Sequence, residues 1–136
     1  MITISIETDG TLSLISERLQ NLTPALEKAA GIALEAIRKN FEAGGRPKWP
    51  PLKINKKGLS HMPLIETGRL LHSFRLLHSF IGGVSGNEAI IGTPLSYARF
   101  HEEGTEHIPA RPFMDLQPED VRNIEGAITN YLIGGL

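Results

Sequence analysis

The sequence predicts an α+β domain in which a small, mostly antiparallel sheet packs against a long N-terminal helix and a C-terminal helix, with a long basic Pro/Gly-rich loop between them. Three observations predict it. Ile2, Ile4 and Ile6 alternate with Thr3, Ser5 and Glu7, which puts three isoleucines on one face of a half-buried strand. Leu26, Ala30, Ala33, Ile37 and Phe41 recur at three- and four-residue steps, as do Val121, Ile124, Ile128 and Tyr131 or Leu132, so two helices each carry one apolar stripe. The elements follow in no regular β-α-β alternation, which argues against a parallel sheet. At 136 residues the chain fits one domain, spanning 1–136.

After the first strand, Asp9-Gly10 turns the chain, and Leu12, Ile15, Leu19 and Leu22 predict a first helix. Thr23-Pro24 opens the long helix, with a hydroxyl suited to the N-cap and a proline that costs nothing at the first helical position. Arg38 and Lys39 suit the negative end of the helix dipole, and Gly44 suits a left-handed C-cap. Residues 44–63 hold four prolines, three glycines and no acidic residue, a density that neither ladder nor helix tolerates, and predict a long surface loop or arm. Arg69-Leu70-Leu71-His72-Ser73-Phe74 is repeated at once as Arg75-Leu76-Leu77-His78-Ser79-Phe80. A continuous helix would rotate the second copy by about 240°, so the copies are expected to differ: a short helix capped by Thr67, then a hairpin strand leading through a Ser-Gly-Asn turn to Ala89-Ile90-Ile91. Leu95 to Glu103 reads as a short helix stopped by Gly104, and residues 108–114 as a short edge strand. Pro118-Glu119-Asp120 opens the last helix, with acids in its first turn, and Gly134-Gly135 ends it.

Composition removes several functions. The chain has no cysteine, which excludes a disulfide scaffold, thiolate-held zinc or iron–sulfur and a cysteine nucleophile, and leaves the redox compartment open. No apolar run reaches the roughly 18 to 20 residues of a membrane span, and the N-terminus lacks a basic region followed by an apolar one. No Gly-x-Gly-x-x-Gly or Walker-type loop is present for a nucleotide, and no glycine-flanked serine elbow for a hydrolase. His101 and His107 are six residues apart with Gly104 between them, whereas a helical zinc site needs two histidines one turn apart. His72-Ser73 and His78-Ser79 are adjacent pairs whose side chains diverge on a strand, so neither is a base with its nucleophile. Glu102-Glu103 and Glu119-Asp120 read as a solvated helix end and a match to the helix dipole. No cofactor, metal, catalytic residue or small-molecule substrate is expected.

Charge is unevenly spread although the total is only −1. From Arg38 to Arg75 nine basic residues face only Glu42 and Glu66, making that stretch about +7 and the remainder about −8. Two readings follow. In one, the loop meets the acidic Glu102, Glu103 and Glu106 region of a neighbouring copy, a head-to-tail contact that closes into rings. In the other, Lys48, Lys53, Lys56 and Lys57 with Arg46 and Trp49 meet phosphates and stack a base. The near-neutral total favours the protein partner.

Four blocks, in order, carry a resemblance: Gly45-Arg46-Pro47-x-Trp49-x-Pro51-Leu52, Pro63-Leu64-Ile65-x-Thr67-Gly68-Arg69-Leu70, Tyr97-Ala98-x-x-His101-x-x-Gly104 and Ile108-Pro109-Ala110-Arg111-Pro112-Phe113. Together they make the chain similar to the phage virion morphogenesis family, the tail-completion proteins of Mu-like and related tailed phages, also found in prophages. The resemblance implies a non-enzymatic structural subunit added late at the head-proximal end of the tail, assembled in the host bacterial cytoplasm and retained in the virion. By analogy with tail-terminator and head–tail joining proteins it implies a ring, a hexamer if matched to the tail tube, touching tail-tube and head-neck proteins and transiently the phage DNA. In that picture an exposed Trp49 with Pro51 and Leu52 forms an apolar anchor, and Arg46 and Arg69 supply charged hydrogen bonds. Tyr97, His101 and Arg111 to Phe113 suit either internal packing or an interface.

Overall fold

The computed structural model describes residues 1–6, 21–50, 69–76 and 87–134. Three strands form one antiparallel sheet in the order β1-β3-β2: β1 (Ile2–Ser5), β2 (Arg75–Leu76) and β3 (Glu88–Gly92). In its register Ile2 lies opposite Ile91 and Ile4 opposite Ala89, while Leu76 pairs with Ile91 from the other side. The alternation of β1 therefore does what its period of two requires: Ile2, Ile4 and Ile6 are buried, and Thr3 and Ser5 face out. Asn87 extends the pairing past the strand end, accepting the Ile6 N–H and donating its side-chain amide to the Ile6 carbonyl.

Helix α1 (Thr23–Ala43) covers the sheet and packs more extensively on α3 (Pro118–Ile133) than on any other described element. Its buried stripe is Ala25, Leu26, Ala29, Ala30, Ala33, Ala36, Ile37, Asn40 and Phe41. The run of alanines keeps this face thin, which allows neighbours to approach closely without loss of helix propensity. At its start the hydroxyl of Thr23 makes no cap; Leu22 takes the cap position, and the side chain of Asn21 accepts the Thr23 N–H instead. At its end Gly44 adopts φ 69°, ψ 31°, with Gly44 N–H to Phe41 O and Gly45 N–H to Asn40 O, a Schellman closure that satisfies two of the last carbonyls. Arg38 sits one turn earlier than expected for a dipole match and bridges Glu35 and Glu42 along the exposed face.

The first repeat copy forms a 3-10 turn, Leu71–Ser73, in which Ser73 Oγ bonds the Leu70 carbonyl and Thr93 Oγ1. The second copy opens as strand β2, so the two copies differ as expected over the residues described. A short helix α2 (Ala98–Glu103) ends at Gly104. The buried face of α3 is Asp120, Ile124 and Ala127, with Ile128, Tyr131 and Leu132 half-buried. Val121, expected on that face, is instead 40% exposed; the helix is rotated so that Asp120 points inward.

Residues 108–114 are not a strand. Pro109 and Pro112 remove two ladder donors; the Arg111 N–H donates to the His101 carbonyl, and the Pro112 and Phe113 carbonyls and the Phe113 and Met114 N–H groups bond to side chains of other elements, as described below. The predicted helix over Leu12, Ile15 and Leu19, the loop beyond Pro50, the Thr67 cap, and the Leu77–Asn87 hairpin turn before its final residue lie outside the described residues, as does the terminal Gly135.

Candidate functional site

Three of the four sequence blocks meet at one place, where the end of α1, the turn 44–50, helix α2 and the segment 108–120 come together. At its centre Phe41 is fully buried, with Trp49 edge-on at 5.6 Å, Phe113 stacked at 5.6 Å and Phe74 tilted at 5.8 Å. Aromatic pairs in these geometries contribute about 0.5–1.5 kcal/mol each beyond their buried area. The Trp49 indole N–H donates to Pro112 O at 3.0 Å, and Arg111 Nε donates to Pro50 O at 2.9 Å, so the two blocks are cross-tied in both directions.

Beside the rings lies a buried polar clasp. Asn40, fully buried, donates its side-chain amide to the carbonyls of Phe113 (2.6 Å) and Asp115 (2.9 Å) and accepts from Arg46 Nε at 2.7 Å. Arg46 Nη2 donates to Ala36 O and to Asp120 Oδ2 at 2.8 Å. The same Asp120 oxygen accepts the Gln117 backbone N–H that opens α3, and the Gln117 side-chain amide donates to the Arg46 carbonyl. A half-buried guanidinium with a nearly inaccessible carboxylate is favourable only when both are held by further hydrogen bonds, and here each is.

On the other side, Glu102 of α2 accepts the backbone N–H of Phe113 (2.7 Å) and of Met114 (3.3 Å). Burial pushes its carboxyl above the usual carboxylate range, and the two N–H bonds partly offset that. Tyr97 and His101 meet edge-on at 6.0 Å, and the Arg69 guanidinium lies 5.9 Å from the centre of the Tyr97 ring. His101 Nδ1 is buried without a hydrogen-bond partner among the described residues. Burial, and then the nearby Arg111 charge, hold its imidazole below the ordinary value.

These positions correct several expectations. Trp49 is 6% exposed and sits in the core, so it is neither an exposed anchor for a neighbour nor a platform for a base. Arg46 turns inward onto Asn40 and Asp120, and its charge is spent within its own chain. Asp120, read as a match to the helix dipole, does lie in the first turn of α3, but it is also 2% exposed and forms the ion pair. Glu102 holds backbone rather than facing out; Glu103 and Glu106 are exposed, as is Arg69. Arg111 and Phe113 are buried, and Tyr97 and His101 pack on each other. Pro51, Leu52, Lys56 and Lys57 lie outside the described residues. Sequence reasoning missed Asn40 and Gln117; the signal for Asn40 was its spacing of three from Ile37 and four from Ala36, which places an amide on the buried stripe.

Two expected outcomes arise here. Gly45 has φ +103°, and a Cβ there would lie 2.6 Å from Pro47 O and from the Trp49 ring; Gly45→Ala is expected to cost on the order of 3 kcal/mol in urea unfolding. For His101, a depressed imidazole pKa means that the folded state binds fewer protons than the unfolded one. Stability is therefore full above the ordinary value of roughly 6.5 and falls as pH drops through the window below it. The raised Glu102 has the opposite slope, its contribution being lost as pH rises above the usual carboxylate range. The urea midpoint, read by the fluorescence of the only tryptophan, should fall between neutral pH and pH 5, and less so in His101→Gln; superimposable profiles would exclude His101 as the source.

The family model described as "Phage virion morphogenesis family" matches residues 7–133. The chain is 35% identical over 142 residues to "Mu-like prophage FluMu G protein 2" of Haemophilus influenzae, covering 96% of each chain. It is 28% identical over 140 residues to "Mu-like prophage FluMu G protein 1" of the same organism, covering 93% of this chain and 94% of that one. No solved structure matches the chain.

Proposed function

Since the chain belongs to the phage virion morphogenesis family, we propose that within virion assembly it serves tail completion and head–tail joining, as a non-enzymatic, ring-forming subunit at the head-proximal end of the tail. The observation that carries this reading is the use to which the family-like blocks are put. Trp49 and Arg111 bond to the backbones of Pro112 and Pro50, Glu102 holds the Phe113 backbone, Phe113 stacks on Phe41, and Arg46 binds Asn40 and Asp120, so these side chains fix the shape of a subunit. Selection for a fixed shape is what an assembly part needs, because its neighbours read surfaces in register. No described helix is long and apolar enough to cross a membrane, which suits a virion component.

Self-association is expected to run head to tail, with copies of this chain as the first partner and tail-tube and head-neck proteins as the others. The nucleic-acid reading has no such support, since its stacking residue Trp49 and its cation Arg46 are committed to the fold. The test is complementation in extracts. A prophage lacking this gene should yield heads and tails that fail to join, and adding the purified protein should restore joined particles and infectivity. Normal joining in its absence would refute the role.

A further inference from the structure

The sheet ends at β1, which among the described residues pairs with β3 and with no other strand. We infer that the outer edge of β1 is a self-association site, where it pairs antiparallel with β1 of a second copy, Thr3 opposite the partner's Ser5, about a two-fold axis at Ile4. Such a contact is isologous and joins copies in pairs, so it goes beyond the head-to-tail association proposed above and does not depend on it.

The direction of the backbone groups carries the inference. The Ile6 N–H meets the Asn87 carbonyl, and in the same register Ile4 lies opposite Ala89 and Ile2 opposite Ile91. Antiparallel ladders alternate, so these isoleucines turn their N–H and C=O groups to β3, while those of Thr3 and Ser5 turn to the outer edge. Both residues are exposed. Proteins commonly blunt such an edge with proline, lysine or a bulge. Residues 1–6 hold no charged side chain and no proline, and the pairing with β3 runs without a bulge from Ile2 to Ser5.

What fits this edge is its own sequence. With Thr3 opposite the partner's Ser5, the outward groups of both residues in both copies are met, by four hydrogen bonds. Ile4 meets the partner's Ile4, so isoleucines continue along one face and hydroxyls along the other, where Thr–Ser pairs are favourable. A slip of one residue would set isoleucine against hydroxyl. Charge permits the approach. The carboxylate beside Ser5 on the hydroxyl face is Glu88, which accepts from Ser5 Oγ at 3.4 Å. Three strand spacings and a two-residue offset separate it from the partner's Glu88 by about 16 Å, beyond the screening length at physiological salt. A strand edge this short buries far less than the roughly 1,600 Å² of a stable dimer, so the pairing is transient and is populated at high protein concentration.

The chain has no cysteine, so introduced thiols report only on themselves. Thr3→Cys and Ser5→Cys are oxidised separately and mixed, at high concentration, and the dimer is read on a non-reducing gel. In the inferred register positions 3 and 5 of opposite copies have Cα atoms about 5.5 Å apart, within disulfide reach, whereas 3 to 3 and 5 to 5 are roughly 7–8 Å apart and beyond it. The mixture should therefore give disulfide dimer at least tenfold faster than either variant alone. Thr3→Pro removes two of the four bonds and none of the β1–β3 ladder, and should weaken dimerisation at least tenfold in sedimentation equilibrium. Thr3→Val keeps the N–H and should dimerise as the natural chain does. Circular dichroism and the urea midpoint check that each variant is folded. Equal crosslinking in all three samples, as random collision would give, overturns the inference, and so does either variant crosslinking faster with itself. A natural chain that associates but is indifferent to Thr3→Pro also overturns it, while leaving head-to-tail association standing.

Discussion

Asp120→Ala is expected to lower the unfolding free energy by about 3–5 kcal/mol, the usual cost of removing one partner of a buried ion pair. Its carboxylate is nearly inaccessible and accepts from both Arg46 and the Gln117 backbone. Without it a half-buried guanidinium has lost its counter-charge, and the first turn of α3 has lost an acceptor. Asp120→Asn, which keeps an oxygen but not the charge, should cost less. Arg46→Met combined with Asp120→Leu should cost less than the two single changes added together, because no lone charge remains. Urea unfolding followed by circular dichroism measures all five variants. A loss below about 1 kcal/mol for Asp120→Ala, the range of an exposed pair, would mean that the clasp contributes little.

Phe41→Ala is expected to cost about 3–5 kcal/mol through lost burial and the cavity left behind. Phe41 is fully buried and is the ring that touches Trp49, Phe74 and Phe113 at once. Because Trp49 meets it edge-on, the same substitution should shift the tryptophan emission of the folded protein to longer wavelength. Phe41→Leu, which retains most of the volume, should lose less. An unchanged spectrum with an unchanged urea midpoint would place the aromatic centre elsewhere.

Helices α1 and α3 and the first strand were legible because their signals are local and periodic. Ile2, Ile4 and Ile6 need only a period of two, and the α1 stripe only a spacing of three and four. Gly44 was legible because only a left-handed residue closes such a helix. The clasp was not, because its partners are joined by geometry and not by pattern. Arg46 looks the same in sequence whether it faces Asp120 or solvent, and a Pro/Gly-rich composition says that a segment is irregular, not that it is exposed. Trp49 shows the difference: its surroundings read as loop, yet its ring completes the core. The edge strand expected over 108–114 failed for a related reason. The segment is irregular, with bends at residues 108 and 114, and its hydrogen-bonding groups are met by Asn40, Trp49, Glu102 and the His101 carbonyl in place of a neighbouring strand.

The ties that close the clasp span most of the polypeptide: Asn40 reaches Phe113 across 73 positions, Arg46 reaches Asp120 across 74, and Trp49 reaches Pro112 across 63. During synthesis, a ribosome that has released only the first hundred residues therefore exposes a nascent chain whose aromatic residues have no lid and whose arginine has no counterion. Domains with such distant pairings acquire their structure slowly, after the entropy of closing long loops has been overcome. For this chain, the interval between translation and closure is therefore the period of greatest exposure to aggregation and proteolysis.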